Sequence, residues 1–388
     1  MNFFIPVYSL KKASSLVHDI ANTKSAFSNP GAVVKAEKDK VIFYAFNDNS
    51  FIAVYVEDAE VSRTGKACVD SNLLHSFTSA MHESNKKKKN NPETDPVVIT
   101  YEGSKGSFKM STRTKYPTGE VIPQIRELPT LDPDKLPTLF KFEGEDIIKI
   151  PSLVLKDGLS KVLYAVSTDV DRPALQGVLL KSDGKKLCIA ATSGRELIEY
   201  TRDLELPEFT CTVSLIYANK LARILDASEN VEFYFSNAKM NVRCGNVILS
   251  GSLVVHDFPD YKSILATSEN TCTFNKLTLQ DNVVNMRFGL DEKTGRATFD
   301  INKGVLKINS HGKARVFNEG IKVMDYKGAL KFDCNGSFVF RAIDRIPGNK
   351  IKMLFSSAEA PIIFRPHEDE VELLDYDIVT LVVPMRGL

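Results

Sequence analysis

The residues of this 388-residue chain that could do chemistry are few and dispersed. Its six histidines (His18, His75, His82, His256, His311, His367) are scattered. His75 and His82 stand seven apart on a predicted helix, too far to share one metal. The six cysteines (Cys68, Cys188, Cys211, Cys244, Cys272, Cys334) include no Cys-x-x-Cys, so neither a zinc ribbon nor a redox pair is indicated. The turn ATSGREL at 191–197 offers Ser193 as a hydrolase nucleophile but lacks the Gly-x-Ser-x-Gly of a nucleophile elbow. No Walker-type loop and no GxGxxG is present. The expectation is a chain that is no enzyme and uses neither metal nor cofactor.

The totals narrow the alternatives. Apolar residues are 43% and charged residues 26%, an ordinary globular composition with length for two or three domains. Fifty basic against 49 acidic residues argue against gripping a polyanion with the whole surface, but leave room for segregated charge. The start, MNFFIPVYSL, has no basic segment leading into a long apolar one, and no run approaches a membrane span. A soluble, reducing, cytoplasmic setting with no membrane partner is expected, the cysteines serving as core residues.

The elements that would position any site repeat along the chain. Residues 31–52, GAVVKAEKDKVIFYAFNDNSFI, lie without gaps over 177–198, GVLLKSDGKKLCIAATSGRELI. Gly31/Gly177, Lys35/Lys181, Lys40/Lys186, Ala45/Ala191 and Ile52/Ile198 are identical. Upstream, FFIPVYSLKKA matches IIKIPSLVLKD, and a fainter third copy carries KGVLKINSHG at 303–312. Each copy reads as a strand, a helix, short alternating strands, a second helix and closing strands. The predicted helices are YSLKKASSLVHDIAN, SNLLHSFTSAMHES, SLVLKDGLSKVLYAVS, SLIYANKLARILDAS, NKLTLQDNVVNM and FVFRAIDRIPGNKIKM, the last short or broken at Pro347-Gly348. Linkers near 128–142 and 263–271 divide the chain into three α+β domains at 1–130, 144–264 and 267–388.

These helices carry Lys11, Lys12, Lys156, Lys161, Lys220, Arg223, Lys276, Arg341 and Arg345. Such residues form either a solvated face or, if the helices share an axis, a lining suited to a phosphate backbone without sequence readout. NKKKKNNPE at 85–93 reads as a solvated loop, with a weak phosphate contact as the lesser alternative.

Four stretches together resemble the bacterial DNA polymerase III beta subunit, the replicative DNA sliding clamp. They are RPALQGVLL (172–180), ATSGREL (191–197), FPDYKSIL (258–265) and LVVPMRGL (381–388), in that order on a repeated chain. The resemblance implies three similar clamp-type domains, each with two helices packed on antiparallel sheets. It also implies a head-to-tail homodimer closing a six-domain ring around double-stranded DNA. The helices would line the hole, which places Lys11, Lys12, Lys156, Lys161, Lys220, Arg223, Lys276 and Arg341 towards DNA. The ring would be a processivity factor, tethering a DNA polymerase catalytic subunit and served by a clamp loader. The alternative is a scaffold with the same fold that does not encircle DNA.

In this family partners dock an extended peptide into an apolar pocket. The matching residues here are Leu175, Thr192, Gly194, Arg195, Leu197, Pro259, Ile264, Val382, Val383, Pro384, Met385 and Arg386. A gapped match implies a dimer interface at Tyr116, Val283, Val284 and Met286. The chain also departs from the family. Thr-Asp-Gly-His-Arg-Leu is usual where Thr192-Ser193-Gly194-Arg195-Glu196-Leu197 stands, and Gly387 is added before the final leucine. These departures mark a divergent member with altered charge around its pocket.

Overall fold

The computed structural model describes residues 1–22, 31–47, 49–87, 96–102, 106–115, 121–131, 138–144, 146–236, 238–265, 270–312 and 316–385. Two compact units emerge. The first comprises 1–153 with 223–252, the second 154–222 with 253–388. The expected central domain thus contributes to both.

Eight helices are described: α1 (Val7–Ala21), α2 (Ser71–Lys87), α3 (Ser152–Val162), α4 (Leu215–Ile224), α5 (Lys262–Leu265), α6 (Lys276–Arg287), α7 (Gly336–Arg345) and α8 (Glu368–Val371). The six longer ones fall on the six predicted segments. Pro6 stands just before α1, whose buried stripe is Val7, Leu10, Ala13, Ser14, Val17, Ile20 and Ala21. The hydroxyls of Ser14 and Thr78, 2.6 Å apart and buried, tie α1 to α2. Asn275 and Asn335 cap α6 and α7 by accepting from the Thr278 and Ser337 amides at 3.0 and 2.9 Å. The predicted FVFRAIDRIPGNKIKM helix stops at Arg345. Gly348 turns the chain at φ 83°, and Lys350–Phe355 continues as a strand. The expected linker at 128–142 begins inside the strand Val121–Leu131, where Leu128 is buried.

The first unit holds one thirteen-stranded sheet, and the second a nine-stranded and a four-stranded sheet. The repeat seen in sequence recurs as strand register. Val33 pairs with Tyr44 as Leu179 pairs with Ala190. Tyr44 pairs with Ala53 as Ala190 pairs with Glu199. The third strand of each copy then meets a distant strand: Ile52 pairs with Leu249, and Ile198 with Thr380. The strand Asp377–Val382 consequently lies inside the nine-stranded sheet, flanked by Glu196–Asp203 and Ile362–Pro366. That explains its apolar run.

Helix α3 sits close to the sheet at Gly158. A Cβ there would come within 2.4 Å of Ile189 Cδ1 and 3.0 Å of the Tyr200 ring, both fully buried. Glycine costs helix propensity but permits this approach. Gly158→Val is expected to destabilise the protein by about 1–3 kcal/mol through overpacking. Urea denaturation followed by far-ultraviolet circular dichroism checks it, and an unchanged midpoint contradicts the packing role.

Candidate partner-binding site

The site grows from the turn between the strands Lys186–Thr192 and Glu196–Asp203. Thr192 is buried and closes the turn. Its hydroxyl donates to the Glu196 carbonyl at 2.8 Å and accepts from the Gly194 amide at 3.0 Å. Gly194 has φ 78°, and a Cβ on it would lie 3.3 Å from Leu175 Cδ1. Leu175 is held above the turn because its carbonyl accepts from the Ser167 amide at 3.0 Å. Arg195 is exposed.

The terminal strand joins from one side. Glu196 pairs with Val382 and Leu197 with Leu381. The Val383 amide donates to the Arg195 carbonyl at 2.8 Å, and the Met385 amide to the Asp333 carbonyl at 2.7 Å. Pro384 is buried and Met385 half-buried, so the segment is fixed by its backbone while the thioether is partly available. Arg386 lies outside the described residues. From the other side, Leu197 shares an apolar cluster with Leu179, Tyr261, Leu381, Phe258 and Val383. Tyr261 brings its neighbours: Pro259 is exposed, and Ile264 on α5 is 42% exposed. Leu175, the 192–197 turn, Pro259, Ile264 and 382–385 thus converge, directly or through Tyr261, on one surface of the second unit. Beside it, Leu179, Thr212, Pro259 and Tyr261 help line a cavity of about 450 Å³.

Two carboxylates beneath this surface were not singled out from sequence. In a strand, alternate residues share a face. Glu196 therefore points with Ile198 and Tyr200, and Glu199 with Leu197. Both are buried, at 4% and 6% exposure, and a buried acid demands partners. Glu199 accepts from the Tyr261 hydroxyl and pairs with Lys262 at 2.5 Å. Cys188 Sγ adjoins it at 3.4 Å, its thiol pushed up to about 11 by burial. These contacts clamp the 258–265 segment to the sheet. Glu196 receives a two-point contact from Arg341 of α7, at 3.1 and 2.6 Å. The guanidinium also lies over Phe338, 4.8 Å from the ring centroid. Burial raises the Glu196 carboxyl above its usual range, and Arg341 draws it back only partly. The signal available in sequence was an acid at two positions of a strand otherwise patterned for burial.

Comparison with known proteins shows what the chain as a whole resembles. The model of the DNA polymerase III beta subunit, central domain, matches residues 149–260. A beta sliding clamp of Synechocystis is 24% identical over 355 residues, covering 84% of each chain. A DNA polymerase III beta subunit from Thermotoga maritima superposes with TM-score 0.86 at 16% identity, covering both chains fully. The corresponding subunit of Pseudomonas aeruginosa gives 0.84 at 19%, also over both full chains. Over its whole length the chain has the fold of DNA polymerase III beta subunits, and residues 149–260 match that family's central domain. Its fold is the three-domain clamp fold of helices packed on antiparallel sheets.

Within this beta-subunit fold the eight basic residues assigned to DNA differ in their commitments. Lys11 and Lys12 line one recess with Arg223, which is 57% exposed and paired with Asp19. Lys156 is half-buried and Lys220 buried. Lys161 pairs with Asp157 at 3.2 Å, and Lys276 donates to the Ile346 carbonyl at 2.5 Å. Arg341 is held by Glu196. Of the interface residues, Val283 and Met286 are fully buried in the chain, Val284 is 37% exposed, and Tyr116 lies outside the described residues.

The Glu196–Arg341 pair gives a signed expectation. Arg341→Met removes the cation and leaves a buried acid whose folded-state pKa is raised above the unfolded value. Such a group adds stability below the ordinary carboxylate range and loses it as pH rises through the folded value. The variant should lose stability relative to the parent between about pH 5 and pH 8. At neutral pH the loss should sit near the lower end of about 3–5 kcal/mol, because Arg341 is partly exposed. Urea midpoints at the two pH values check this; parallel pH profiles for both proteins contradict it.

Proposed function

We propose that the chain is a DNA sliding clamp and processivity factor. It encircles duplex DNA without reading sequence and tethers a polymerase catalytic subunit through the surface built on Leu175, Leu197, Ile264 and 382–385. The observation that carries this reading is the convergence of four sequence-distant motifs on that one surface. The solved beta subunit of Pseudomonas aeruginosa includes a form bound to griselimycin, which supports a ligand-accepting surface on this fold. The partition at 1–130, 144–264 and 267–388 fits the repeated register. The protein acts as a tether, raising the local concentration of polymerase, and needs no catalytic group. Clamp loader and polymerase are its protein partners, in a cytoplasmic setting.

Ring closure follows from a pairing rule. Each domain runs four strands in order: 2–6, 96–102, 107–115 and 121–131 in the first; 148–151, 230–236, 239–244 and 247–252 in the second; 270–275, 350–355, 362–366 and 377–382 in the third. The fourth strand of the second domain pairs with the third strand of the first copy, and that of the third domain with the third strand of the second. Continuing the rule, Val316–Lys322, the edge of the four-stranded sheet, takes Val121–Leu131 of a second copy. Val121–Leu131 pairs with its neighbour Ser107–Lys115 and leaves most of its other edge open, with Ile125 64% exposed. Two copies related head to tail satisfy both edges at once. The basic helices then supply a field for phosphates, while Lys161, Lys276 and Arg341 keep their intrachain partners.

Three outcomes follow. The protein should sediment as a dimer, stay on nicked circular DNA and leave once that DNA is linearised; equal retention on both forms sinks the encircling reading. Ile125→Asp places a charge on the closing edge and should give folded monomers, so a variant dimer as stable as the parent removes this edge from the interface. Deleting 384–388 should leave the ring assembled and abolish polymerase stimulation, and normal stimulation by the truncated protein rules out the tail as part of the pocket.

A further inference from the structure

The strand Lys350–Phe355 pairs with Ile362–Pro366, which pairs in turn with Asp377–Val382, the strand that leads into the tail of the candidate partner site. Alternate residues of a strand share a face. Ile351, Met353 and Phe355 are buried on one face, so Lys350, Lys352 and Leu354 stand on the other. Leu354 is opposite Ile363, and both join the apolar cluster of Leu197 and Leu381. The next pair on that face is Lys352 opposite Arg365. The sheet therefore passes from the apolar floor of the partner site straight onto two cations.

Like charges directly opposite each other across a ladder are destabilising. Helix α8 relieves part of this. Glu368 pairs with Lys352, and Asp369 with Lys350 at 2.9 Å. The two lysines hold those carboxyls below their usual range. Arg365 is left over. It is half-buried and forms no ion pair among the described residues, and its Nε is buried without a hydrogen-bond partner. A cation is thus fixed at the face of the sheet with its charge uncompensated, beside a site built for an extended ligand.

We infer that Arg365 is a specificity-determining residue of the partner site. It takes a carboxylate of an extended peptide whose apolar side chain occupies the surface built on Leu175, Leu197 and Ile264. The inference deepens the partner-pocket reading and rests on it. The reach is adequate. Ile363 pairs with Leu381, which makes Arg365 the diagonal neighbour of Leu381, a separation of about 7–8 Å that a long side chain spans. An extended peptide advances about 3.3 Å per residue, so its acid stands within three positions of the apolar anchor. A guanidinium matches a carboxylate in a two-point contact, which a lysine does not. Lys352, already held by Glu368, contributes field instead of contact. The partner this face fits is therefore an apolar peptide with an acidic flank.

The test selects peptides on the full-length protein from a displayed library of random sequences. Selected peptides that lose binding when 384–388 are deleted define the ligands of the pocket. These should carry Asp or Glu within three positions of the apolar anchor. Changing that acid to its amide should weaken binding to the parent about threefold to tenfold. Arg365→Gln should bind the acid and amide peptides alike. Arg365→Glu gives Lys352 an opposite charge to face, so it should melt no lower than the parent, and it should select Lys or Arg where the parent selects an acid. Equal affinity of the parent for acid and amide, or unchanged selection by Arg365→Glu, overturns the assignment and leaves the pocket standing. Failure to select any peptide that depends on 384–388 overturns the pocket reading and the assignment with it. Weaker binding of a single-stranded oligonucleotide by Arg365→Glu, with peptide selection unchanged, makes the face a phosphate surface and also overturns the assignment.

Discussion

The candidate partner site depends on one lateral contact, the antiparallel pairing of Glu196–Asp203 with Asp377–Val382. That ladder joins strands about half the chain apart into one sheet. It also sets the depth of every site residue. Leu197 opposite Leu381 faces the apolar cluster, and the Val383 amide is delivered to the Arg195 carbonyl. A slip of one residue would turn the whole apolar set to the other face. The glycine turn at Gly194 and the half-buried Met385 take their places from that register.

The two faces of Glu196–Asp203 carry different electrostatic duties. Glu196 faces α7 and binds Arg341 in a two-point contact; Glu199 faces the cluster and holds Tyr261 and Lys262. Each buried acid fastens a different wall of the site to the same strand. Buried pairs add little net stability over well-packed apolar residues, but they reward one arrangement strongly. Where the family motif usually reads Arg, this chain has an acid with a cation waiting on α7. The departure therefore has an internal counterpart and does not leave a bare negative charge at the pocket.

Much of this was legible beforehand, for identifiable reasons. The repeat between 31–52 and 177–198 is an alignment of apolar alternation, and alternation is what register reads; the two copies accordingly pair alike. The helices were visible because their apolar residues recur at three- and four-residue spacing. What escaped was long-range. Nothing local in ELIEYTRD says that Glu196 meets Arg341, 145 positions away. Val283 and Met286 were named for an interface from a gapped match, and that they are buried within the chain depends on the strands packed against α6, which such a match does not locate. The same applies to Arg341, whose positive charge was clear but whose partner was not.

The seam pairings also bear on how the polypeptide is made. Ser50–Val56 cannot complete its ladder until Val247–Ser252 exists, and Glu196–Asp203 waits for Asp377–Val382. During synthesis from the N-terminus each of these strands stands as an open edge while well over a hundred further residues are added. Glu196 lies on such an edge without Arg341 for most of that interval, and Glu199 without Lys262 for the shorter stretch before residue 262 is made. Charge on an unpaired edge discourages pairing with a neighbouring nascent chain. The acids that later fasten the site thus also put charge on a strand edge that is otherwise apolar and still unpaired.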